Sequence, residues 1–203
     1  MQTPPKIINI LALGDSYTIG EAVIPEQRWV NLLAEKMERE LHWKTEVTVV
    51  ARTGWTTTDL LNALESTSLK KEYDLVFLLI GVNNQYRNWP FEVYEREFAT
   101  LLHFAENKSS ASPDRLFVLS IPDYGYTPFG HVKRQKISEE IDTYNRFIRF
   151  MAEKNNATYI EITSLTREGI RIPELIADDG LHPSSKMHKL WSEKIFAIVS
   201  EKK

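Results

Sequence analysis

The sequence predicts an α/β protein built on a parallel sheet with helices on both faces. Five short apolar runs alternate with segments of helical periodicity along the whole chain, and this alternation is typical of strands joined by crossover helices. The chain has 203 residues, which suits one domain with a sizeable core. Because no internal repeat or low-complexity tract interrupts the pattern, we expect residues 1–203 to form a single domain with right-handed crossovers.

The predicted strands are apolar or β-branched runs that end at turn signals. The apolar composition of the first run predicts a strand that is buried on both faces. This run stops at Gly14 and is too short to cross a bilayer. The five runs are residues 7–13, 47–50, 75–80, 116–119 and 157–162.

The predicted helices show apolar residues at helical spacing. Pro25 and Pro90 each suit the first turn of a helix. Thr56 with Asp59 three residues later has the form of a capping box, so a short helix follows there. Residues 109–114 read as a loop because a strand resumes after them. Two long amphipathic helices follow, around residues 137–151 and 187–198.

Composition excludes several classes of function. With 25 basic and 28 acidic residues the net charge is −3, which gives no electrostatic footprint for nucleic acid or an anionic membrane. There is no cysteine, so disulfides, thiolate metal ligands and cysteine nucleophiles are excluded. The first residues show no signal-type segment, so the chain reads as cytoplasmic, although a chain whose leader had been removed would look the same.

The chemistry-bearing residues all fall in loops at one edge of the predicted sheet. In a parallel sheet, the loops that follow the carboxyl ends of the strands lie together, and ligands bind in the crevice there. Ser16 follows the first strand, Gly54 the second and Asn83 the third, while Asp179 and His182 lie between the fifth strand and the last helix. Topology therefore brings residues from 16 to 182 to one rim.

Together these groups could perform nucleophilic catalysis. A serine hydroxyl needs a base to take its proton, and a histidine is suited to that role. Asp179, three residues before His182, is close enough to accept a hydrogen bond from the ring and fix its tautomer. The amides of Ser16 and Gly54 and the side-chain amide of Asn83 are the donors available to an oxyanion. Alone, each residue would more often be a turn or cap residue.

Four blocks carry a resemblance to a known family. They are Gly14-Asp15-Ser16, Gly54, Gly81-x-Asn83 and Asp179-x-x-His182. In this order and on these loops the chain resembles the SGNH/GDSL hydrolases over residues 14–182. The resemblance implies a three-layer α/β/α flavodoxin-like fold whose five-stranded parallel sheet has the order 2-1-3-4-5.

The resemblance also implies a function and a site. The activity is ester hydrolysis through an acyl-enzyme, with Ser16 as nucleophile, His182 as base and Asp179 as its orienter. Ser16, Gly54 and Asn83 form the implied oxyanion hole, and no metal or organic cofactor is implied. One departure stands in the third block, which usually ends in aspartate: here the residue is Asn84, where loop bracing is expected rather than reaction.

Polar and aromatic residues beside the blocks are the candidate substrate contacts. They are Asp15, Trp55, Asn84, Tyr86, Trp89, Tyr124 and Tyr126. For Asp15 and Asn84 the alternative is a structural role. One of the two tryptophans, Trp55 or Trp89, is expected to form part of the wall of the substrate pocket. Residues 123–130 form either a substrate-shaping flap or a packed surface loop. His188, in the last helix, is expected at the surface.

We therefore predict a serine esterase or acylhydrolase whose partner is a small-molecule ester, with no nucleic acid, membrane or metal involved. Two alternatives remain open at this point. One is an acyltransferase that uses the same triad, and the other is a binding module with a disabled site. A nucleotide-binding protein is a distant third, because no phosphate-binding glycine motif is present. The oligomeric state is not predicted.

Overall fold

The computed structural model describes residues 7–110 and 115–202. Its five strands are β1 Ile7–Gly14, β2 Lys44–Ala51, β3 Leu75–Leu79, β4 Leu116–Leu119 and β5 Thr158–Ile160. All pairings are parallel, and the strand order is β2-β1-β3-β4-β5. The predicted fold class and strand order are thus confirmed.

Helices cover both faces of this sheet. They are α1 Ser16–Ile19, α2 Trp29–Leu41, α3 Thr57–Ser66, α4 Val82–Tyr86, α5 Phe91–Lys108, α6 Arg134–Lys154, α7 Thr163–Thr166 and α8 Ser185–Glu201. The first and last long helices, α2 and α8, pack against each other, whereas α5 contacts both α3 and α6. These two groups are the outer layers of the α/β/α sandwich.

The core is centred on β1 and β3. Every residue of β3 is buried, which matches its unbroken apolar run, since a strand covered on both faces has no solvent side. Phe77 of β3 stacks on Phe117 of β4 with centroids 5.0 Å apart, and Trp29 meets Phe77 edge-on at 5.5 Å. Aromatic pairs of this geometry add to the free energy gained by burial.

Element boundaries follow local chemistry. The capping box is present: the Thr56 hydroxyl accepts from the Asp59 N–H, and the Asp59 carboxylate accepts from the Thr56 N–H. The expectation for Pro25 is wrong in detail, because Pro25–Gln27 forms a separate 3-10 turn. Arg28 is extended there, with ψ 141°, and α2 begins only at Trp29.

Two predictions fall partly outside the described residues. Residues 111–114 of the predicted loop 109–114 lie outside them. Residues 1–6 also lie outside them, and the expectation that the first residues contain no signal-type segment depends partly on these six. Among the helices that are described, none is long and apolar enough to cross a membrane.

Strand register sets the position of the site. Gly14, the last residue of β1, is opposite Ala51 at the end of β2 and Leu79 at the end of β3. Three neighbouring strands therefore stop at one level. The loops that follow them open onto the same edge of the sheet, which is where ligands bind in open α/β folds.

Candidate active site

A cavity of about 300 Å³ opens at this edge, and its walls are mostly apolar. Four of the residues singled out by the sequence line it together: Ser16, Gly54, Asn83 and His182. The complete lining is Ser16, Tyr17, Thr53, Gly54, Val82, Asn83, Tyr86, Tyr124, Phe129, Leu181 and His182. An apolar cleft of this size with a few polar groups is typical of small-molecule sites.

Ser16 is placed by a sharp strand-to-helix transition. It is the first residue of α1, directly after β1 and Asp15. Gly14 permits this turn because a Cβ there would lie 2.3 Å from the Leu79 carbonyl oxygen and 2.2 Å from the Thr18 hydroxyl. The Ser16 side chain lines the cavity, and within the described part of the chain its hydroxyl has no hydrogen-bond partner.

Asp15 is a buried cap and does not line the cavity. It is 1% exposed, and its Oδ1 accepts from the Tyr17 N–H at 3.0 Å. Burial raises the pKa of Asp15 to about 7, although hydrogen bonds from the Tyr17 and Asp15 N–H groups act in the opposite direction. The structure thus gives Asp15 a structural role and does not bring it to the place where a substrate would bind.

This raised pKa predicts a pH-dependent effect of Asp15→Asn on stability. The folded chain holds the Asp15 proton more tightly than an unfolded chain with a pKa of 3.8, so stability is full below 3.8 and is lost as pH rises through 7. At about 1.4 kcal/mol per pKa unit, the full loss is about 4 kcal/mol. Asparagine keeps the acceptor without the charge. We therefore expect Asp15→Asn to be more stable than wild type at pH 9.

Urea unfolding at pH 5 and pH 9 measures this effect. The stabilisation is expected at pH 9 and should fall to less than half of that value at pH 5, which lies nearer to the unfolded pKa of 3.8 than to the folded pKa of about 7. Asp178→Asn is the matched control, because Asp178 is exposed. Equal stability of Asp15→Asn and wild type at both pH values would contradict the buried charge.

His182 is held by Asp179. The His182 Nδ1 donates to Asp179 Oδ2 at 2.6 Å, while Asp179 Oδ1 accepts from the backbone N–H groups of Leu181 and His182, both at 2.9 Å. This arrangement leaves Nε2 as the free ring nitrogen. Burial acts to raise the pKa of Asp179, but the hydrogen bonds from His182 and Leu181 outweigh it, and the pKa lies below its usual value.

Ser16 and His182 face one cavity without a hydrogen bond between them in the described part of the chain. Such bonds are often long in free enzymes and tighten when substrate binds. The ring of Tyr17 lies beside the imidazole, with centroids 5.6 Å apart. Tyr17 is buried and forms part of the wall next to the histidine.

His188 is buried, so the expectation of a surface position is wrong. It is 0% exposed, and its Nδ1 accepts from the Trp29 N–H at 3.2 Å. Burial lowers the pKa of His188 to about 3, and the charges of Arg28 and His182 add to this effect. His188 is buried because helical spacing places it on the face of α8 that carries Trp191 and Ile195, which are also buried.

Gly54 and Asn83 both line the cavity and both carry N–H donors. Gly54 has φ +82°, a conformation that favours glycine, and its N–H has no acceptor among the described residues. The Asn83 Nδ2 donates to the Trp55 carbonyl at 2.9 Å, which fixes the amide plane and leaves its second N–H free of that bond. As the first residue of α1, Ser16 has a backbone N–H without an intrahelical acceptor.

Asn84 braces two loops instead of lining the cavity. It is fully buried: its Oδ1 accepts from the Thr57 N–H at 3.1 Å, and its Nδ2 donates to the Thr57 hydroxyl at 2.7 Å. That hydroxyl then donates to Glu97 at 2.5 Å. An ionised aspartate could not donate to Thr57, so the asparagine suits a threonine whose own proton is already used by Glu97.

The aromatic candidates divide into two groups. Tyr86 and Tyr124 line the cavity, but Trp55, Trp89 and Tyr126 do not. The Trp55 side chain packs against the core, and the Tyr126 ring lies under the Arg134 guanidinium at 5.4 Å. Trp89 borders a separate groove, because the short helix α4 carries the chain away from Asn83.

Sequence reasoning missed five residues of the lining. They are Tyr17, Thr53, Val82, Phe129 and Leu181. Four of them are chain neighbours of a predicted site residue, so proximity to the motifs was the available signal. Phe129 lies in the segment 123–130, which the sequence had already marked as a flap or a packed loop.

The segment 123–130 forms a braced wall. The Asp123 carboxylate is fully buried and accepts from Gly125 N–H, Ser138 Oγ and Arg167 Nε at 2.7–2.9 Å. At the other end, the Phe129 N–H donates to the Gly180 carbonyl at 3.0 Å. This last bond joins the wall to the loop that carries Asp179 and His182. No group of three or more His, Asp or Glu side chains within the described ranges is placed to hold a metal ion.

Comparison with solved structures agrees with this architecture. The acetylxylan esterase Axe2 from Geobacillus stearothermophilus superposes with a TM-score of 0.75 at 18% identity, over 98% of this chain and 96% of that one. A lipolytic G-D-S-L family protein from Veillonella parvula gives 0.77 at 15% identity, over 96% and 98%. Esterase EstA from Pseudoalteromonas sp., solved with monoethylphosphonate, gives 0.71 at 20% identity, over 96% and 97%. At these identities the likeness shows the fold.

Sequence comparison gives the class. The spore germination lipase LipC of Bacillus licheniformis is 24% identical over 208 aligned positions, which cover 94% of this chain and 95% of LipC. The model of the GDSL-like Lipase/Acylhydrolase family matches residues 12–190. Fold and sequence thus define an enzyme of the ester-hydrolase class. The chain belongs to the GDSL-like lipase/acylhydrolase family, and the resemblance carried by the four blocks is confirmed.

Proposed function

We propose that this protein is a serine esterase that cleaves a small or medium carboxylic ester through an acyl-enzyme. The observation that carries the proposal is the convergence of Ser16 and His182 on one cavity, with the His182 ring held by Asp179 at 2.6 Å. Family membership supports the reaction class, and the geometry supports these three residues as nucleophile, base and orienting carboxylate.

In the first half-reaction the Ser16 oxygen attacks the ester carbonyl carbon while the His182 Nε2 takes the hydroxyl proton. The carbonyl π electrons move to oxygen, and the N–H groups of Ser16, Gly54 and Asn83 stabilise the resulting oxyanion. Its collapse breaks the bond to the alcohol oxygen, which receives the proton from His182. Water, deprotonated by the same imidazole, then attacks the acyl carbon of the acyl-enzyme. The bond from that carbon to the Ser16 oxygen breaks, the Ser16 oxygen recovers its proton from His182, and the acid is released.

The imidazolium that forms in each half-reaction lies next to the Asp179 carboxylate. The lowered pKa of Asp179 keeps that carboxylate ionised at neutral pH, so it can stabilise the positive ring. The mostly apolar walls of the cavity make the surroundings of the reacting atoms less polar than water, which strengthens these charge interactions.

A serine-directed phosphonate ester tests the nucleophile directly. We expect one equivalent to attach to Ser16, to be found by peptide mass mapping, and to abolish ester hydrolysis in proportion to labelling. Heat-denatured protein is the control and should not react, because the activation comes from the folded site. Labelling of another serine, or hydrolysis that persists after complete labelling, would contradict the proposal and favour a binding module.

A further inference from the structure

Gly54 is the one residue of the proposed oxyanion hole that lies outside a helix. Ser16 lies in α1 and Asn83 in α4, whereas Gly54 lies in the loop between β2 and α3. Its φ is +82°, and glycine adopts positive and negative φ about equally well. The backbone preference of Gly54 therefore does not fix the direction of its N–H, and contacts from neighbouring elements must do so.

Two side chains hold the backbone at Gly54 and at the residue that follows it. The Asn83 Nδ2 donates to the Trp55 carbonyl at 2.9 Å, and the Arg87 Nη2 donates to the Gly54 carbonyl at 2.7 Å. Arg87 directly follows α4, and its N–H donates to the Asn83 carbonyl at 3.1 Å, so the two side chains are one helical turn apart. Two of the three proposed donors, Gly54 and Asn83, are thereby held by the same short helix.

The Arg87 guanidinium lies between Gly54 and α3. Its Nη1 is 4.0 Å from Asp59 Oδ2, an oxygen that accepts from the Thr56 N–H at 2.8 Å in the capping box. This ion pair contributes little to stability, because the two side chains are 44% and 40% exposed. The bond to the Gly54 carbonyl has a charged donor, and such bonds are about twice as strong as neutral ones. A Cβ on Gly54 would lie 3.5 Å from Arg87 Nη2, so the guanidinium lies directly against the glycine.

We propose that Arg87 is a positioning residue for the oxyanion hole, and that its bond to the Gly54 carbonyl sets the distance between the Gly54 N–H and the Asn83 amide. Arg87 is not among the residues that line the cavity of Ser16, so it acts through Gly54 and not on the substrate. This inference rests on the proposed esterase function and adds to it a residue outside the cavity. Because the hole stabilises charge that develops only in the transition state, removing Arg87 should weaken binding of the oxyanion and leave ground-state binding unchanged.

Arg87→Ala tests the effect on the rate of hydrolysis. With 4-nitrophenyl acetate we expect kcat/KM to fall by about ten- to thirtyfold, because loss of a complete oxyanion donor costs about 10²- to 10³-fold and here the donor is displaced, not removed. Arg87→Met retains the aliphatic stem and should show a loss of the same size. It decides the test if Arg87→Ala does not fold, and thermal unfolding of both variants reports whether they do.

A transition-state analogue distinguishes positioning from general damage to the site. With 1,1,1-trifluoro-2-butanone, the Ser16 oxygen adds to the carbonyl carbon, the π electrons move to the carbonyl oxygen, and the hydroxyl proton passes to the His182 Nε2. The oxyanion of this adduct occupies the hole, whereas 1,1,1-trifluoro-2-butanol forms no adduct. We expect the ketone to inhibit Arg87→Ala about tenfold more weakly than wild type, and the alcohol to inhibit both proteins equally.

Arg52→Gln is the matched control. Arg52 is exposed two residues before Gly54, and in the described part of the chain its side chain makes no hydrogen bond. The substitution removes a positive charge close to Gly54 in the sequence without changing what the Gly54 carbonyl accepts. Inhibition of Arg52→Gln by the ketone should therefore remain that of wild type.

Three results would overturn the inference. They are ketone inhibition of both Arg87 variants within about twofold of wild type, an equal loss of affinity for ketone and alcohol, and a loss in Arg52→Gln as large as that in Arg87→Ala. Hydrolysis of 4-nitrophenyl acetate that is lost in Ser16→Ala would in each case still support the esterase function. Hydrolysis that survives in Ser16→Ala would instead overturn the esterase function itself, so failure of the two proposals can be told apart.

Discussion

Replacing Ser16 with alanine is expected to lower kcat/KM for 4-nitrophenyl acetate by about 10⁴-fold or more, because no covalent intermediate can form without the hydroxyl. The loss should appear mainly in kcat, since the cavity walls that bind the ester remain. Initial rates of purified protein, measured against the uncatalysed reaction, give the value.

Stability provides the control for this variant. The Ser16 hydroxyl makes no hydrogen bond in the described part of the chain, so its removal should leave the thermal midpoint close to that of wild type. Ser200→Ala, on the outer part of α8, is the matched substitution and should retain full activity. Ester hydrolysis within tenfold of wild type in a folded Ser16→Ala protein would remove Ser16 from the mechanism.

Asp179→Asn is expected to lower kcat by roughly 10³- to 10⁴-fold with little change in KM. The asparagine amide can donate to the His182 Nδ1, which at present donates to Asp179 at 2.6 Å. The ring proton would then move to Nε2, and His182 would offer Ser16 a donor where an acceptor is needed. The variant also loses the negative charge that stabilises the imidazolium.

Asp178→Asn is the control that distinguishes the two neighbouring aspartates. It should leave kcat unchanged, since Asp179 is the residue that accepts the hydrogen bond from the His182 imidazole. If Asp178→Asn were the inactive variant and Asp179→Asn the active one, the orienting carboxylate would have been assigned to the wrong residue. Rates measured over a range of pH report whether the remaining activity of Asp179→Asn still depends on a base.

The sequence could predict the features that depend on local pattern. The bounds predicted for the fourth strand, Leu116–Leu119, are those observed, because a short apolar run between turn signals is distinctive. Parallel topology then brought Ser16 and His182 to one edge from opposite ends of the chain. The family resemblance added the strand order, which periodicity alone does not determine.

Features that depend on three-dimensional neighbours could not be predicted. The helix α4 has only five residues, too few to show helical periodicity in the sequence. The sequence therefore does not predict that this helix carries Trp89 away from the cavity. The burial of His188 was missed because a polar residue on an apolar helix face breaks the pattern that marks the core. The cavity lining, including Tyr17 and Phe129, depends on which side chains point into the cavity. The spacing of residues along the sequence does not determine this.

The hydrogen bond from the Phe129 N–H to the Gly180 carbonyl limits how this protein could acquire new substrates. Lengthening or shortening the segment 123–130 would pull on the loop that carries His182 and so disturb the reaction itself. Exchange of the side chains at positions 124 and 129 leaves that tie in place. Point substitutions in this wall can therefore change substrate preference, whereas insertions or deletions within it are expected to lower kcat.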